Sequence, residues 1–250
     1  MRRSDIFWFT VGGTFYSLGL DLEEKLHVVG IFLDLSKAFD SLSHKILIDR
    51  LMNIGIRGTP LKLFSSYISN RQQMVCCNGQ SSKLCKLQKG VPQGSILGPI
   101  LFLICINDIT RASSTMNFTL FADDTNLLMA NENINILHHS LTKELDCVVK
   151  WLTCNRLTLN IQKICYIFFQ SHSLNNSIPP LCINNQPITE VSHTKFLGVH
   201  IDRNLNWKHH ISSVCDKLSK LCGIMYKIRK MITKEALISI YYTLCYPHIM

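Results

Sequence analysis

Two apolar segments that each end at an aspartate constrain the fold more than any other feature of this chain. Residues 28–33 are β-branched, aromatic and aliphatic with no polar alternation, a pattern typical of a strand buried on both faces, and Asp34 follows them. Residues 118–122 and 126–129 are also strand-like, and they flank Asp123 and Asp124. A carboxylate at such a position loses hydration unless a cation or a hydrogen-bond network compensates. The pattern predicts a hairpin with carboxylates at its tip.

If the two strands are neighbours in one sheet, their carboxylates converge and can hold two Mg²⁺ ions a few Å apart, the arrangement used for in-line phosphoryl transfer. Successive strand residues face opposite sides, so only one of Asp123 and Asp124 needs to be a ligand. The spacing alone leaves another interpretation open, in which Asp34, Asp40, Asp123 and Asp124 are turn and cap residues.

The remaining segments mix helices and strands. A glycine and proline loop at residues 90–95 opens onto an apolar helix that we expect to reach residue 107. Helical spacing also predicts helices at residues 43–53, 61–68, 134–155, 207–230 and 234–246. Strands are predicted at residues 73–77 and 84–87, joined as a hairpin, and at 165–170 and 196–201, with an irregular segment at 171–180. This mixture indicates an α+β fold.

Charge and cysteine usage restrict the partners and the compartment. The chain has 26 Lys and Arg against 17 Asp and Glu, a net charge of +9 that favours polyanionic partners. Its 11 cysteines are scattered and odd in number, which indicates a reducing compartment and free core cysteines rather than disulfides or a zinc site. The longest apolar run, residues 96–106, contains Gly98 and Pro99 and is shorter than the roughly 18 residues that cross a bilayer, so no membrane association is expected.

Three motifs carry a resemblance to a known family. FLDLSKAFD at residues 32–40, GVPQGSILGP at 90–99 and FADD at 121–124 resemble, in the same order, the first aspartate motif, the nucleotide loop and the second aspartate motif of reverse transcriptases from non-LTR (LINE-type, jockey/CR1-like) retrotransposons. Further matches lie at residues 66–72, 106–109, 157–160 with Lys163, and 195–199. The resemblance runs from about residue 28 to the C-terminus.

The resemblance implies the right-hand fold of a reverse transcriptase, with a palm of antiparallel sheet backed by helices, partial fingers and a partial helical thumb. The corresponding limits are 1–27 for a fingers remnant or divergent N-terminus, 28–200 for the palm with finger insertions, and 201–250 for the start of the thumb. Residues 1–26 show no match to the usual fingers, and the last residues resemble a segment that normally continues. We therefore expect a fragment truncated at both ends.

The resemblance also assigns the catalytic centre. Asp34 and Asp123 would bind both Mg²⁺ ions, for which Mn²⁺ is an alternative, with the backbone carbonyl of Leu35 completing one coordination shell. Asp124 would lie close by as a supporting carboxylate. Lys163 matches a lysine that protonates or neutralises the leaving pyrophosphate, although Ile164 follows it where the family usually has Thr. A solvated surface lysine is the alternative interpretation.

The nucleotide and primer contacts follow in the same way. Phe39 matches the aromatic residue under the sugar of the incoming nucleotide, where it would exclude a 2′-hydroxyl, and its alternative interpretation is an ordinary core residue. Gln93 and Gly94 match the loop along the nucleotide. The turn that contacts the primer 3′ end is matched by Phe196, Leu197 and Gly198.

Basic residues of the last helices resemble a thumb that holds the duplex; they are Lys208, His209, His210, Lys217, Lys220, Lys227, Arg229 and Lys230. The implied partners are an RNA template, a DNA primer and dNTP, with no stable protein partner inferable, and the implied compartment is intracellular, in the cytoplasm, the nucleus or both.

The function expected from the resemblance is that of an RNA-directed DNA polymerase, a nucleotidyltransferase that adds dNTP to a primer 3′-hydroxyl by a two-metal reaction. The alternative is a catalytically silent nucleic-acid-binding remnant of a degenerate retroelement, motivated by the missing fingers. A group II intron maturase or a telomerase is a third possibility, but residues 33–39 and 195–199 favour the LINE-type branch.

Overall fold

The structure is a computed structural model that describes residue 13, residues 18–169 and residues 179–249. The chain divides into two compact units, Met1–Val191 and Ser192–Met250. A helical segment at residues 18–23 precedes the first strand. No helix in the described ranges has both the length and the hydropathy that crossing a membrane requires.

The strands and α-helices of the first unit have the following bounds within the described residues. The strands are β1 (His27–Leu33), β2 (Gln72–Gln73), β3 (Cys76–Cys77), β4 (Gln80–Ser81), β5 (Cys85–Lys86), β6 (Asn117–Phe121), β7 (Asp124–Asn131), β8 (Cys165–Phe169), β9 (Cys182–Ile183), β10 (Gln186–Pro187) and β11 (Thr189–Glu190). The helices are α1 (Ala38–Ser41), α2 (His44–Asn53), α3 (Gly58–Ile68), α4 (Leu97–Ile106) and α5 (Ile134–Cys154).

The centre of the first unit is a five-stranded sheet in the order β11-β8-β1-β7-β6. Strand β1 lies in the middle and pairs antiparallel with both β7 and β8, whereas β11 joins β8 in parallel. Residues 28–33 are buried, as expected for an apolar strand covered on both faces. The largely antiparallel sheet confirms the predicted α+β class.

Helices cover this sheet and complete the core. Helix α5 buries one stripe of residues at helical spacing, Leu137, Leu141, Leu145, Val148 and Leu152. Helix α4 is apolar around most of its circumference and buries Leu101, Phe102 and Ile106. These side chains join one core cluster with residues of β1, β7 and β8. The core therefore packs against β1 up to Leu33, the residue before Asp34.

Most predicted elements of this unit are confirmed, with shifted ends. Helix α3 begins at Gly58 rather than at residue 61, and the apolar helix ends at Ile106, followed by a 3₁₀ helix at Asn107–Ala112. The predicted 73–77 and 84–87 hairpin is interrupted: β2 pairs with β5 and β3 pairs with β4. Met74, Val75 and Leu84 between these ladders are exposed, so no core packing favours continuous strands there.

An ion pair between partly buried side chains accounts for Asp108 in the matched segment 106–109. Arg50 of α2 forms an ion pair with Asp108 and donates a hydrogen bond of 2.7 Å to Oδ1 of Asn155. The guanidinium also lies 5.5 Å from the ring centroid of Trp151. Arg50 thereby connects α2 with the 3₁₀ helix and the C-terminal end of α5. Within this motif, Asp108 has a structural role.

The second unit begins with a hairpin of β12 (His193–Phe196) and β13 (Val199–Asp202), followed by α6 (Lys208–Ile228) and α7 (Lys234–Ile240). The prediction of one strand over residues 196–201 is wrong, because the chain reverses at Leu197 (φ 49°) and Gly198 (φ 86°). The helical stretch predicted over 234–246 is confirmed, with α-helical geometry to Ile240 and a π-helical turn at Tyr241–Cys245.

Buried Asp202 organises the connection into α6. Its Oδ1 accepts hydrogen bonds of 3.1 Å from the backbone N–H groups of Asn204 and Asn206, and its Oδ2 accepts one of 3.0 Å from Trp207. These bonds compensate for the lost hydration of the carboxylate. Of the predicted irregular segment 171–180, only residues 179 and 180 belong to the described residues.

All eleven cysteines are free, and only Cys105 and Cys245 are buried. The expectation of core cysteines is therefore wrong for most of them. Several, including Cys76, Cys77 and Cys85 of the interrupted hairpin, are exposed because that hairpin extends away from the core.

Candidate active site

Three aspartates meet at one end of the central sheet. The last residue pair between β1 and β7 is Leu33 with Thr125, so Asp34 and Asp124 occupy the next positions along the two strands. Phe121 pairs with Asp124 across β6 and β7, which leaves Ala122 and Asp123 as a two-residue connection. Ala122 adopts a left-handed backbone with φ 52°. The tight turn thus brings the predicted second aspartate motif beside the first.

The electrostatics of this sheet end favour a cation. Loss of water around the Asp124 carboxyl raises its pKa, and the nearby charges of Asp123 and Asp34 raise it further. The ammonium group of Lys163 lies 3.9 Å from Oδ2 of Asp34 and provides one positive charge against three carboxylates. Surplus negative charge of this kind is a fit for a divalent ion with oxygen ligands.

The described residues contain no group of three or more His, Cys, Asp and Glu side chains close enough together to hold a metal by itself. The ligand set expected from the sequence is smaller, with two carboxylates and the backbone carbonyl of Leu35. A divalent ion at this end of the sheet would therefore need oxygen ligands besides these carboxylates.

A cavity of about 430 Å³ opens beside Asp123. It brings together five residues that the sequence analysis singled out: Leu35, Phe39, Gln93, Gly94 and Asp123. The rest of the lining is Lys37, Ala38, Pro92 and Pro99. Hereafter it is called the nucleotide cavity.

Phe39 forms a fixed wall of the nucleotide cavity. It is half-buried, and its ring packs against Phe102 of α4 with ring centroids 5.0 Å apart. Its carbonyl accepts a hydrogen bond of 2.9 Å from the N–H of Val91. Core packing and cavity lining are therefore both properties of this residue, and the two interpretations of Phe39 are compatible.

Residues 90–99, which resemble the nucleotide loop of the family and are given that name below, are held in shape by their own hydrogen bonds. Ser95 Oγ donates to the carbonyl of Pro92 (2.7 Å) and accepts from the N–H of Gly98 (3.0 Å). A Cβ at Gly98 would lie 2.7 Å from the Pro92 oxygen, so this turn requires glycine. At Gly94, φ is 79° and a Cβ would meet no atom within 4 Å, so backbone conformation rather than crowding favours glycine there.

Asp40 holds the side chain of Gln93 in place. The Nε2 group of Gln93 donates a hydrogen bond of 3.2 Å to Oδ1 of Asp40. Both side chains are exposed. Because the bond engages Nε2 of Gln93, it fixes the orientation of the amide group. The sequence analysis considered Asp40 only as a turn or cap residue and missed this contact, because a pairing across 53 positions leaves no local pattern.

Gly90 joins the nucleotide loop to the first aspartate motif. Its N–H donates to the carbonyl of Leu42 (2.7 Å), and its carbonyl is 2.8 Å from His44 Nε2 and 3.2 Å from Arg71 Nη1, which donates to it. A Cβ at Gly90 would lie 2.9 Å from both Cα and O of Asp40. The sequence analysis did not identify His44, and it included Arg71 only within the matched segment 66–72, without a role.

Lys163 lies near Asp34 because the segment at residues 158–163 is hydrogen-bonded to the end of β1. The N–H of Ser36 donates to the carbonyl of Thr158 (2.8 Å), and the N–H of Asn160 donates to the carbonyl of Asp34 (2.9 Å). The N–H of Lys163 in turn donates to the carbonyl of Asn160 (3.0 Å). Ile164, where the family usually has Thr, is buried in the core and faces away from solvent.

The residues matched to the primer grip lie in the second unit. Phe196 is buried at the end of β12, and Leu197 and Gly198 form the two-residue turn to β13. Both turn residues have positive φ, which explains glycine at the second position.

These features define a polymerase palm, and comparison with known proteins identifies its class. Residues 14–201 match the family model "Reverse transcriptase (RNA-dependent DNA polymerase)". The chain belongs to this family, as the motifs predicted.

Several relatives of the chain are encoded by mobile elements. The RNA-directed DNA polymerase from mobile element jockey of Drosophila melanogaster is 27% identical over 203 residues, which are 77% of this chain and 22% of that protein. Its counterpart in Drosophila funebris is 28% identical over 200 residues, again 77% of this chain and 22% of the relative. The chain therefore spans about a fifth of these relatives, and the predicted resemblance to non-LTR retrotransposon enzymes is confirmed.

A solved structure supports the fold. Apo telomerase from Candida tropicalis, truncated from the C-terminal domain, superposes with a TM-score of 0.54 at 16% identity, covering 83% of this chain and 39% of that chain. This likeness concerns the fold alone.

Proposed function

We propose that this chain is the palm of an RNA-directed DNA polymerase that adds dNTP to the 3′-hydroxyl of a DNA primer paired with an RNA template. The observation that carries the proposal is the convergence of Asp34, Asp123 and Asp124 beside a cavity lined by Phe39 and Gln93. The proposed site of action is the cytoplasm, the nucleus or both.

In this reaction the primer 3′-oxygen attacks the α-phosphorus of the nucleotide, and the bond from that phosphorus to the bridging oxygen of pyrophosphate breaks. The proposed metal ligands are the carboxylates of Asp34 and Asp123 and the carbonyl of Leu35. Two Mg²⁺ ions, or Mn²⁺ in their place, would supply Lewis-acid stabilisation of the charge on the transferring phosphate when bound.

The protein's own groups have separate tasks. Asp124 adds negative charge to the cluster, and we assign it to the retention of the cations. Phe39 supports the sugar and leaves no room for a 2′-hydroxyl, while Gln93, held by Asp40, offers its amide to the sugar or base. Lys163 is the proposed proton donor to the departing pyrophosphate, and the 3.9 Å distance from its ammonium group to Oδ2 of Asp34 supports this proposal.

The primer would be held in the second unit by the turn at Phe196, Leu197 and Gly198. The basic side chains of α6 and the residues after it would contact the phosphates of the duplex without reading its sequence. Both assignments depend on the family resemblance, and variants of this turn are expected to weaken primer use without changing metal affinity.

Primer extension with a labelled DNA primer on an RNA template tests the proposal. We expect incorporation that requires Mg²⁺ or Mn²⁺ and is abolished by Asp123→Asn. The matched control is Asp146→Asn, which removes an equal charge from an exposed position on α5 and should leave extension unchanged. Robust extension by Asp123→Asn would contradict the assignment.

A further inference from the structure

The carbonyl oxygen of Gly90 accepts two side-chain hydrogen bonds from distant parts of the chain. Nε2 of His44, the first residue of α2, lies 2.8 Å from this oxygen, and Nη1 of Arg71 donates to it at 3.2 Å. A carbonyl oxygen has two lone pairs and can only accept, so both lone pairs are used and Nε2 of His44 carries a proton. Gly90 is buried, and His44 and Arg71 are both partly buried.

These two bonds act on a peptide group that would otherwise rotate easily. Gly90 has a φ of 85°, and glycine has more backbone freedom than any other residue. At the other end of the same peptide group, the N–H of Val91 donates to the carbonyl of Phe39 (2.9 Å). His44 and Arg71 hold the oxygen, while Phe39 holds the hydrogen. The orientation of this peptide group is therefore fixed from both ends.

The nucleotide loop begins at this peptide group and forms part of the nucleotide cavity. Gln93 and Gly94 line the cavity from the loop, and Phe39 lines it from α1. The distance between these two walls depends on how the start of the loop sits against α1. The described lining of the nucleotide cavity includes neither His44 nor Arg71, so within this cavity both act through the loop.

We propose that His44 and Arg71 are positioning residues that set the width of the nucleotide cavity by fixing the start of the nucleotide loop against α1. The inference rests on the proposed function, because the width matters only if a nucleotide occupies the cavity. Arg71 adds a second connection, since its own carbonyl accepts from the N–H of Leu87 (2.8 Å) at the base of the β2–β5 ladder. The interrupted hairpin and α2 are thus both connected to the loop at one oxygen atom.

Single variants of the 250-residue chain separate this role from a general effect on folding. His44→Leu removes the donor at similar size, whereas His44→Gln supplies an amide Nε2 that reaches about as far and can donate. The control His138→Leu removes a contact of the same kind, because Nε2 of His138 on α5 lies 3.0 Å from the Pro179 carbonyl. His44 is a cleaner target than Arg71, which also lines an adjoining cavity of about 740 Å³.

Hydrogen exchange measured by mass spectrometry reports on the loop without any nucleotide. We expect the amides of residues 90–98 to exchange about tenfold faster in His44→Leu, the effect that loss of one hydrogen bond produces, and at the wild-type rate in His44→Gln. The amides of β1 should be unchanged in both variants, and His138→Leu should leave the loop unchanged. Wild-type exchange of the loop in His44→Leu would overturn the inference.

Nucleotide affinity is measured by fluorescence anisotropy with a labelled dNTP. The chain is first bound to an RNA template and a DNA primer that ends in a dideoxynucleotide, so that no bond forms. We expect His44→Leu to bind dNTP about tenfold more weakly and to prefer dNTP over rNTP less than the wild type does. His44→Gln should restore both the affinity and the preference.

Two results of the affinity measurement would contradict the proposed role. A loss that His44→Gln does not restore would show that the hydrogen-bond donor is not what matters, and weaker binding with an unchanged preference for dNTP would show that the cavity keeps its width. A wild-type chain that binds no dNTP would instead contradict the proposed function, and the exchange rates would still decide whether His44 fixes the loop.

Discussion

The ammonium nitrogen of Lys163 lies 3.9 Å from Oδ2 of Asp34, although the two residues are far apart in the sequence. The lysine is largely exposed, with 69% of its side chain accessible, so the pair contributes little to stability. We therefore expect Lys163, beside the proposed metal ligand Asp34, to compensate charge during the reaction rather than to stabilise the fold.

Lys163→Gln should lower the kcat of primer extension by about 100-fold, the lower end of what a general acid contributes, with little change in KM for dNTP. Lys163→Arg keeps the charge but is a poorer proton donor, so it should also leave the KM for dNTP unchanged and should not recover kcat. Single-turnover kinetics of the two variants, with Lys143→Gln as an exposed control, measure this difference. Equal kcat in wild type and Lys163→Gln would show that the lysine is only a solvated neighbour.

Phe39→Ala should relax the choice between dNTP and rNTP. The ring is held by Phe102 and forms one wall of the nucleotide cavity, so truncation creates room for a 2′-hydroxyl. We expect the ratio of kcat/KM for dNTP to that for rNTP to fall by about tenfold or more. Phe39→Tyr retains the wall and should retain the discrimination. A Phe39→Ala variant that discriminates like the wild type would leave Phe39 as a core residue only.

How far the sequence predicted this site depends on whether its signals are local. The strand before Asp34 and the tight turn at Asp123 follow from short apolar runs and turn chemistry, and the structure confirms both. Motif resemblance added Phe39, Gln93 and Lys163, whose positions near the carboxylates no local pattern specifies.

The contacts missed by the sequence are those between distant segments. Asp40 with Gln93 and Arg71 with Gly90 depend on how the loop at residues 90–95 docks on α1, and each partner alone has the composition of an ordinary turn or surface residue. The incorrect strand at 196–201 has another cause. The apolar pattern predicted one continuous strand, whereas the family resemblance matched Phe196, Leu197 and Gly198 to a turn, and the left-handed backbone of Leu197 and Gly198 forms that turn.

Asp124 provides a pH-dependent test of the carboxylate cluster. Its pKa is raised in the folded state by loss of water and by Asp123 and Asp34, so folding favours its protonated form. The corresponding stability is fully present below the ordinary carboxyl pKa and is lost as pH rises through the raised value. At neutral pH the ionised carboxylate therefore destabilises the fold.

We expect Asp124→Asn to raise Tm at pH 7 by about 1 to 2 °C, a small effect because the side chain is exposed. The difference should disappear at a pH of about 3, where the wild-type carboxyl is protonated in both states. Added Mg²⁺ should raise the Tm of the wild type more than that of Asp124→Asn, and chelation with EDTA should reverse the increase. Differential scanning fluorimetry across pH measures all three. A variant that is less stable than wild type at pH 7 would contradict the proposed repulsion.

Gly90→Ala tests whether the junction between the nucleotide loop and the first aspartate motif depends on close backbone packing. The new Cβ would lie 2.9 Å from Cα and O of Asp40, at a backbone φ of 85° that non-glycine residues rarely adopt. Gly55 is the matched control, because its φ is 93° and no atom lies within 4 Å of a Cβ there. Gly55→Ala should cost about 1 kcal/mol of unfolding free energy for backbone strain alone. Gly90→Ala should cost about 3 kcal/mol or more, since the neighbouring atoms are backbone and cannot rotate away. Urea unfolding monitored by circular dichroism gives both values. Similar costs in the two variants would mean that the loop adjusts to the added methyl group, and that the close approach of Gly90 to Asp40 does not limit the stability of this junction.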